Sequence, residues 1–181
     1  VVAIAAIIAF AGGDNTKTVT SLPTEVEEFR PVVVTGAALP TMPDGDDPAV
    51  GIQAPQLDGS AFDGSAVTIK PGEPTLVVLL AHWCPHCNDE VPRLIEWKES
   101  GAVPADLQVI AVSTGVASDR PNYPPSQWVV NKAWPWPVMA DSADKIGGNA
   151  FGLAGYPYFV LVGGDGKVLV RMSGEVPMDE L

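Results

Sequence analysis

A short apolar run ending three residues before a pair of closely spaced cysteines constrains this chain more than any other feature. Residues 75–81 (TLVVLLA) follow Pro71, Gly72 and Pro74, and Cys84-Pro85-His86-Cys87 comes directly after Trp83. The run is too short for a helix. Its Val and Leu content suits a strand buried on both faces, which places it centrally in a sheet. Residues 84–100 carry helix formers with Val91, Leu94, Ile95 and Trp97 roughly on one side, and Gly101 is placed to cap the C-terminal end. Pro85 fits the first helical turn, whereas Pro92 is expected to kink or break the helix. Both thiols therefore sit where a buried strand hands over to a helix.

That placement gives them chemistry. Unpaired N–H groups and the positive end of the helix dipole stabilise a thiolate at Cys84; a free cysteine titrates near about 8.5, and in such settings anywhere from about 3.5 to 7.5. Cys87, one turn on, shares its face and is within disulfide reach, as a resolving thiol must be. Pro85 removes an N–H that has no helical partner, and a protonated His86 adds positive charge beside the sulfur. A static disulfide over three positions would close too small a loop to remove much entropy from the unfolded chain. A zinc site built with His82 or His86 lacks a clear fourth ligand, so the reading favours redox chemistry with no cofactor or resident metal.

Composition narrows the partners. The 181 residues suffice for one domain and a tail, and 22 acidic against 10 basic residues give a net charge of -12. Such a chain is repelled by phosphate backbones, which excludes nucleic acid as a partner. Residues 1–11 (VVAIAAIIAFA) have no polar side chain. At 1.5 Å per residue they cover about half of a hydrocarbon core, so they are expected to be the end of a membrane anchor that begins upstream. Residues 12–47, rich in Asp, Glu, Pro, Thr and Gly, read as an acidic tether, within which residues 31–36 (PVVVTG) have the content of a short strand. The Asp44-Gly45-Asp46-Asp47 run is expected to be a solvated loop, because an EF-hand loop begun at Asp44 would need Glu where Pro55 stands.

The domain is expected over residues 48–181. A second buried strand at 107–112 after the first helix implies a parallel crossover. Further expectations are a short helix at 126–132, a strand at 137–140, and a helix at 142–151 capped by Asp141 or Ser142. Residues 157–162 and 167–172 flank Gly163-Gly164-Asp165-Gly166 and form a β-hairpin. Residues 178–181 (MDEL) read as the first turn of another helix. Trp134-Pro135-Trp136-Pro137 is expected to be a stiff packed loop more than a recognition surface, and His82 a surface residue.

These residues also carry a resemblance. AHWCPHCNDEVP at residues 81–92 resembles the active-site segment of the thioredoxin superfamily, and Cys87-x-x-Glu90-x-Pro92 is similar to the pattern of its membrane-tethered TlpA/ResA-like branch. GIQAPQLDGSAFDGSAVTI at 51–69 resembles that branch's Gly-x-x-Ala-Pro lead-in and hairpin, and GYPYFVLVGGDGKVLVRMSG at 155–174 its cis-proline loop and C-terminal hairpin. The resemblance implies an α/β fold of the thioredoxin type, a central mixed sheet flanked by helices, and thiol-disulfide exchange. By the same resemblance Cys84 is the nucleophile, Cys87 the resolving thiol and Pro157 the cis-proline beside Tyr156. Only about 5–6% of X-Pro bonds in folded proteins are cis, so without the resemblance trans is the default there. Glu90 is either a carboxylate that tunes the thiols or a solvated helix charge. Trp83 is expected to pack at the site's edge.

The implied activity is exchange with extracytoplasmic protein thiols or disulfides and a redox partner protein. Its direction stays open. Tyr156 stands where many relatives have Thr, Val or Ile, and Pro85-His86 resembles oxidising DsbA-like enzymes more than reductive relatives. Thioredoxin near about -270 mV and DsbA near about -120 mV differ by roughly 7 kcal/mol for two electrons. Two alternatives stand beside exchange: a Cu(I) module using Cys84, Cys87 and a His, and a thiol peroxidase. The peroxidase pattern Pro-x-x-x-Thr-x-x-Cys is absent, since Ala81 precedes Cys84 by three.

Overall fold

The computed structural model describes residues 26–177. The expected anchor at 1–11, the start of the tether and the MDEL turn lie outside them. Among the described residues no helix is long and apolar enough to cross a membrane.

The apolar run forms β4 of eight strands: β1 (Val33–Thr35), β2 (Gln56–Ser60), β3 (Ala66–Ile69), β4 (Thr75–Leu80), β5 (Gln108–Ser113), β6 (Val138–Ala140), β7 (Tyr158–Val162) and β8 (Val168–Ser173). They make one mixed sheet in the order β1-β2-β6-β5-β4-β7-β8, with β3 paired to β2. All six residues of β4 are buried; it runs parallel to β5 and antiparallel to β7, so the central strand is satisfied on both edges. Side chains alternate across it. Val77 and Leu79 join the apolar cluster on one face, while Leu76, Val78 and Leu80 join the other beneath the helix that follows.

That helix, α1 (Pro85–Glu99), is continuous through Pro92, contrary to the expected break. Proline removes the N–H that would bond the Asn88 carbonyl and leaves that acceptor open. Here the Lys132 ammonium donates to the Asn88 carbonyl at 3.1 Å and fills the gap. The second helix, α2 (Pro125–Asn131), packs its buried Trp128 on the same face. The third, α3 (Ile146–Ala150), is much shorter than the helix expected over 142–151. Lys145 takes a left-handed φ of 57°, which interrupts helical geometry, and the buried Asp141 accepts the N–H groups of Gly147 and Gly148 at 2.8 and 3.0 Å. The hairpin of β7 and β8 is as expected.

A five-residue α3 cannot cover the other face of the sheet. The remainder is supplied by residues expected to form a tether. Val32, Leu39 and Ala49 are buried in that cluster, and β1 pairs with β2, so the described part of residues 26–47 is packed against the domain. Burying Leu39 alone contributes about 2 kcal/mol. The acidic run is also only partly solvated: Asp44 and Asp46 are exposed, but Asp47 pairs with the guanidinium of the buried Arg171 on β8. Arg171 further donates to the carbonyls of Pro40 and Phe151 at 2.7 and 3.1 Å. The Arg171 hydrogen bond holds the Asp47 carboxyl below the usual carboxylate range. This pair therefore stabilises the fold at neutral pH and loses its contribution as pH falls below about 3.9.

Removing one partner leaves the other charge buried, so Asp47→Asn should lower the unfolding free energy by about 3 kcal/mol in urea melts at pH 7. A loss under about 1 kcal/mol would show that the strap is not held this way.

Candidate active site

The C-terminal end of β4 delivers the chain to α1 through a tight turn, with the Cys84 N–H bonded to the Ala81 carbonyl at 3.0 Å. Cys84 is the N-cap residue, with extended dihedrals of -72° and 123°, and Pro85 occupies the first turn as expected. No side chain caps the helix, so its first N–H groups are left near the sulfur. Both cysteines are free thiols. Cys84 is 6% exposed and Cys87 fully buried, so Cys84 is the less enclosed of the two. Its thiol donates to the Tyr156 carbonyl at 3.6 Å, and the Tyr156–Pro157 bond is cis. Burial pushes the Tyr156 phenol up to about 12, so it stays a neutral group at physiological pH.

Glu90 is fully buried, which rules out a solvated helix charge. Burial raises its pKa, against the pull of the Val176 N–H at 3.3 Å and the Arg93 guanidinium at 2.6 Å. Burial likewise pushes the Cys87 thiol up, and the charges of Cys84 and Glu90 add to the rise. A buried thiol that resists ionisation thus lies electrostatically coupled to a carboxylate whose proton affinity is raised. Around them, Arg93 donates to the Val176 carbonyl at 2.7 Å, and Glu175 meets the exposed His86 at 2.7 Å.

His82 is fully buried, not on the surface. Its Nδ1 donates to the Pro121 carbonyl at 2.8 Å and its Nε2 accepts the Ala117 N–H at 3.2 Å, an arrangement that fixes the neutral tautomer. The Trp83 indole N–H donates to the Gly115 carbonyl at 2.8 Å, and its ring meets that of Tyr156 edge-on at 5.8 Å, so Trp83 packs at the site's edge as expected. Gly115 has a φ of 64°, and a Cβ there would collide with the Tyr156 hydroxyl. Asn88 ties the region together: its amide donates to the carbonyls of His82 and Cys84 at 3.1 and 2.9 Å, and its oxygen accepts the Trp128 indole N–H at 3.0 Å.

The sequence profile of the AhpC/TSA family matches residues 46–171. The chain belongs to the AhpC/TSA family. The thiol:disulfide interchange protein HelX of Rhodobacter capsulatus is 31% identical over 149 residues, 78% of this chain and 74% of HelX. The thiol-disulfide oxidoreductase ResA of Bacillus anthracis is 25% identical over 138 residues, 73% of this chain and 74% of ResA. Among solved structures, StoA from Bacillus subtilis is similar in fold, with a TM-score of 0.57 at 15% identity over 74% of this chain and 96% of StoA. The thioredoxin-like fold and the ResA-like resemblance are thereby established for this AhpC/TSA-family chain. It still has a buried Ala81 where the family's peroxidase pattern carries Thr.

The fold brings Tyr156 and Pro157, just before β7, against the local motif that holds Trp83, Cys84, Pro85, His86, Cys87 and Glu90. Sequence reading missed Asn88, Gly115, Arg93 and Glu175. Asn88 at the fourth position after Cys84 was the one available signal, since a short amide there reaches back to the cap carbonyl.

Neutral burial of His82 has a consequence for stability. An unfolded histidine takes a proton near about pH 6.5, while the folded site resists it, so the unfolded state binds more protons below that pH. Stability should be full above about pH 6.5 and fall on acidification by up to about 1.4 kcal/mol per pH unit. His82→Gln should flatten this slope in urea melts between pH 7.5 and 5. An unchanged slope would show that His82 accepts a proton in the folded state.

Proposed function

We propose that the chain is a thiol-disulfide oxidoreductase that exchanges disulfides with protein substrates, with Cys84 as nucleophile and Cys87 as resolving thiol. The observation that carries this reading is the pairing of Cys84, 6% exposed at an uncapped helix start, with Cys87, fully buried one helical turn on. In the reductive direction the Cys84 thiolate attacks a substrate disulfide. A mixed disulfide forms and one substrate thiolate leaves. Cys87, deprotonated, then attacks the Cys84 sulfur, which forms the Cys84–Cys87 disulfide and releases the second substrate thiol. Two electrons pass to the substrate, and the same steps reversed oxidise a dithiol.

Glu90 supports the second step. Cys87 holds its proton, and the raised carboxylate coupled to it is suited to accept that proton as the attack begins. Pro85 and His86 shape the helix start, and the Tyr156 backbone beside cis-Pro157 offers an edge on which an extended substrate pairs. A copper-holding role is less well supported, because both ring nitrogens of His82 are engaged by backbone groups. For location, the apolar residues 1–11 support a membrane anchor, and exchange with protein disulfides suits an extracytoplasmic setting where such bonds persist.

Cys84→Ser should reduce exchange with a model disulfide substrate to background; retention of activity would remove the assigned nucleophile. Glu90→Gln should slow the resolving step by about 100-fold. It should also abolish the rise in wild-type rate as pH climbs through the Glu90 titration. A pH profile of single-turnover resolution that matches wild type would contradict the proton-acceptor role.

A further inference from the structure

The loop after β5 places a cation over Trp83, the residue that precedes Cys84. The Arg120 guanidinium lies over the Trp83 ring at 5.4 Å, and Arg120 is exposed. Four other cations of the domain are committed elsewhere. Arg93 holds Glu90, Arg171 holds Asp47, Lys132 fills the Asn88 carbonyl and Lys98 bonds the Pro135 carbonyl. Among the described residues no hydrogen bond or ion pair engages the Arg120 side chain, and the adjacent exposed Asp119 does not pair with it. On the other side of Cys84, the charge of a protonated His86 would be met by Glu175 at 2.7 Å. The site's mouth therefore carries one unmatched positive group, held through stacking next to the residue that precedes Cys84.

A stacked guanidinium keeps its donor edge free, and its planar fork matches a carboxylate in two parallel hydrogen bonds. Trp83 bridges Arg120 to the substrate-facing loop, since the same indole meets the Tyr156 ring and bonds the Gly115 carbonyl. A net charge of -12 opposes an acidic segment overall, so a local cation decides where one can sit. We propose that Arg120 is a specificity-determining residue that selects protein substrates with an acidic residue flanking the exchanging cysteine. This rests on the oxidoreductase reading above. Arg120 takes no part in electron transfer; it orients the substrate through its charge and its stack on Trp83.

The test uses two disulfide peptides identical except for Glu or Lys beside the cysteine, and reads the ratio of their kcat/KM values. The wild-type protein should prefer the Glu peptide, with a preference that shrinks in high salt. Arg120→Glu should move the ratio by about tenfold and reverse the order. Arg120→Lys should keep the order. If Arg120→Glu does not fold, Arg120→Gln should bring the ratio close to one. A ratio unchanged within about twofold in Arg120→Glu or Arg120→Gln, or a reversed order in Arg120→Lys, would overturn the assignment. A wild-type protein that exchanges neither peptide would instead sink the oxidoreductase reading, an outcome separate from exchange without discrimination.

Discussion

The site depends on the fixed position of β4. This strand is hydrogen-bonded on both edges and buried on both faces, so its C-terminal end has little freedom to move. Four residues further on, at Cys84, the chain must turn into α1, whose own apolar side is packed on the same sheet through Val91 and Leu94. Cys84 is held between these two constraints at the helix cap, and Cys87 is carried one turn into the core. Their difference in exposure follows from the turn geometry. Burial raises the proton affinity of the inner thiol.

Around that junction the protein adds a polar layer that is closed on itself. Asn88 collects carbonyls from the turn, His82 and Trp83 clamp the loop after β5, and Glu90 is held by Arg93 and the Val176 backbone. Each bond is modest alone, about 1 kcal/mol net, yet leaving any of these buried groups unpaired would cost more than the bond contributes. The layer thus favours one arrangement of the loops against Cys84. It also leaves Arg120 as the cation at the mouth whose pairing capacity is unused.

Features within one continuous stretch were legible in the sequence. TLVVLLA implied the central strand, Cys-x-x-Cys after it implied two thiols at the start of a helix, and Gly163 to Gly166 implied the hairpin. What escaped were pairings across long sequence separations. His82 looked like a surface residue because the carbonyl it bonds, at Pro121, lies 39 positions away. Asp47 looked solvated because its partner Arg171 is 124 positions away. The strap over residues 26–47 read as a tether because Val32 and Leu39 are few and without period among Pro, Gly and acidic residues. Only the three-dimensional fact of a sheet face left bare by a five-residue α3 explains their burial. Pro92 misled for a related reason, since the compensating donor, Lys132, sits on another element.

The central claim is that the two sulfurs divide the reaction, with Cys84 meeting the substrate and Cys87 releasing it. Mass mapping of a single-turnover intermediate in Cys87→Ala, mixed with a peptide disulfide, tests this most directly. The account predicts a persistent peptide adduct on Cys84 that a small added thiol releases. Turnover of Cys87→Ala at the wild-type rate, or no adduct on Cys84, would contradict it.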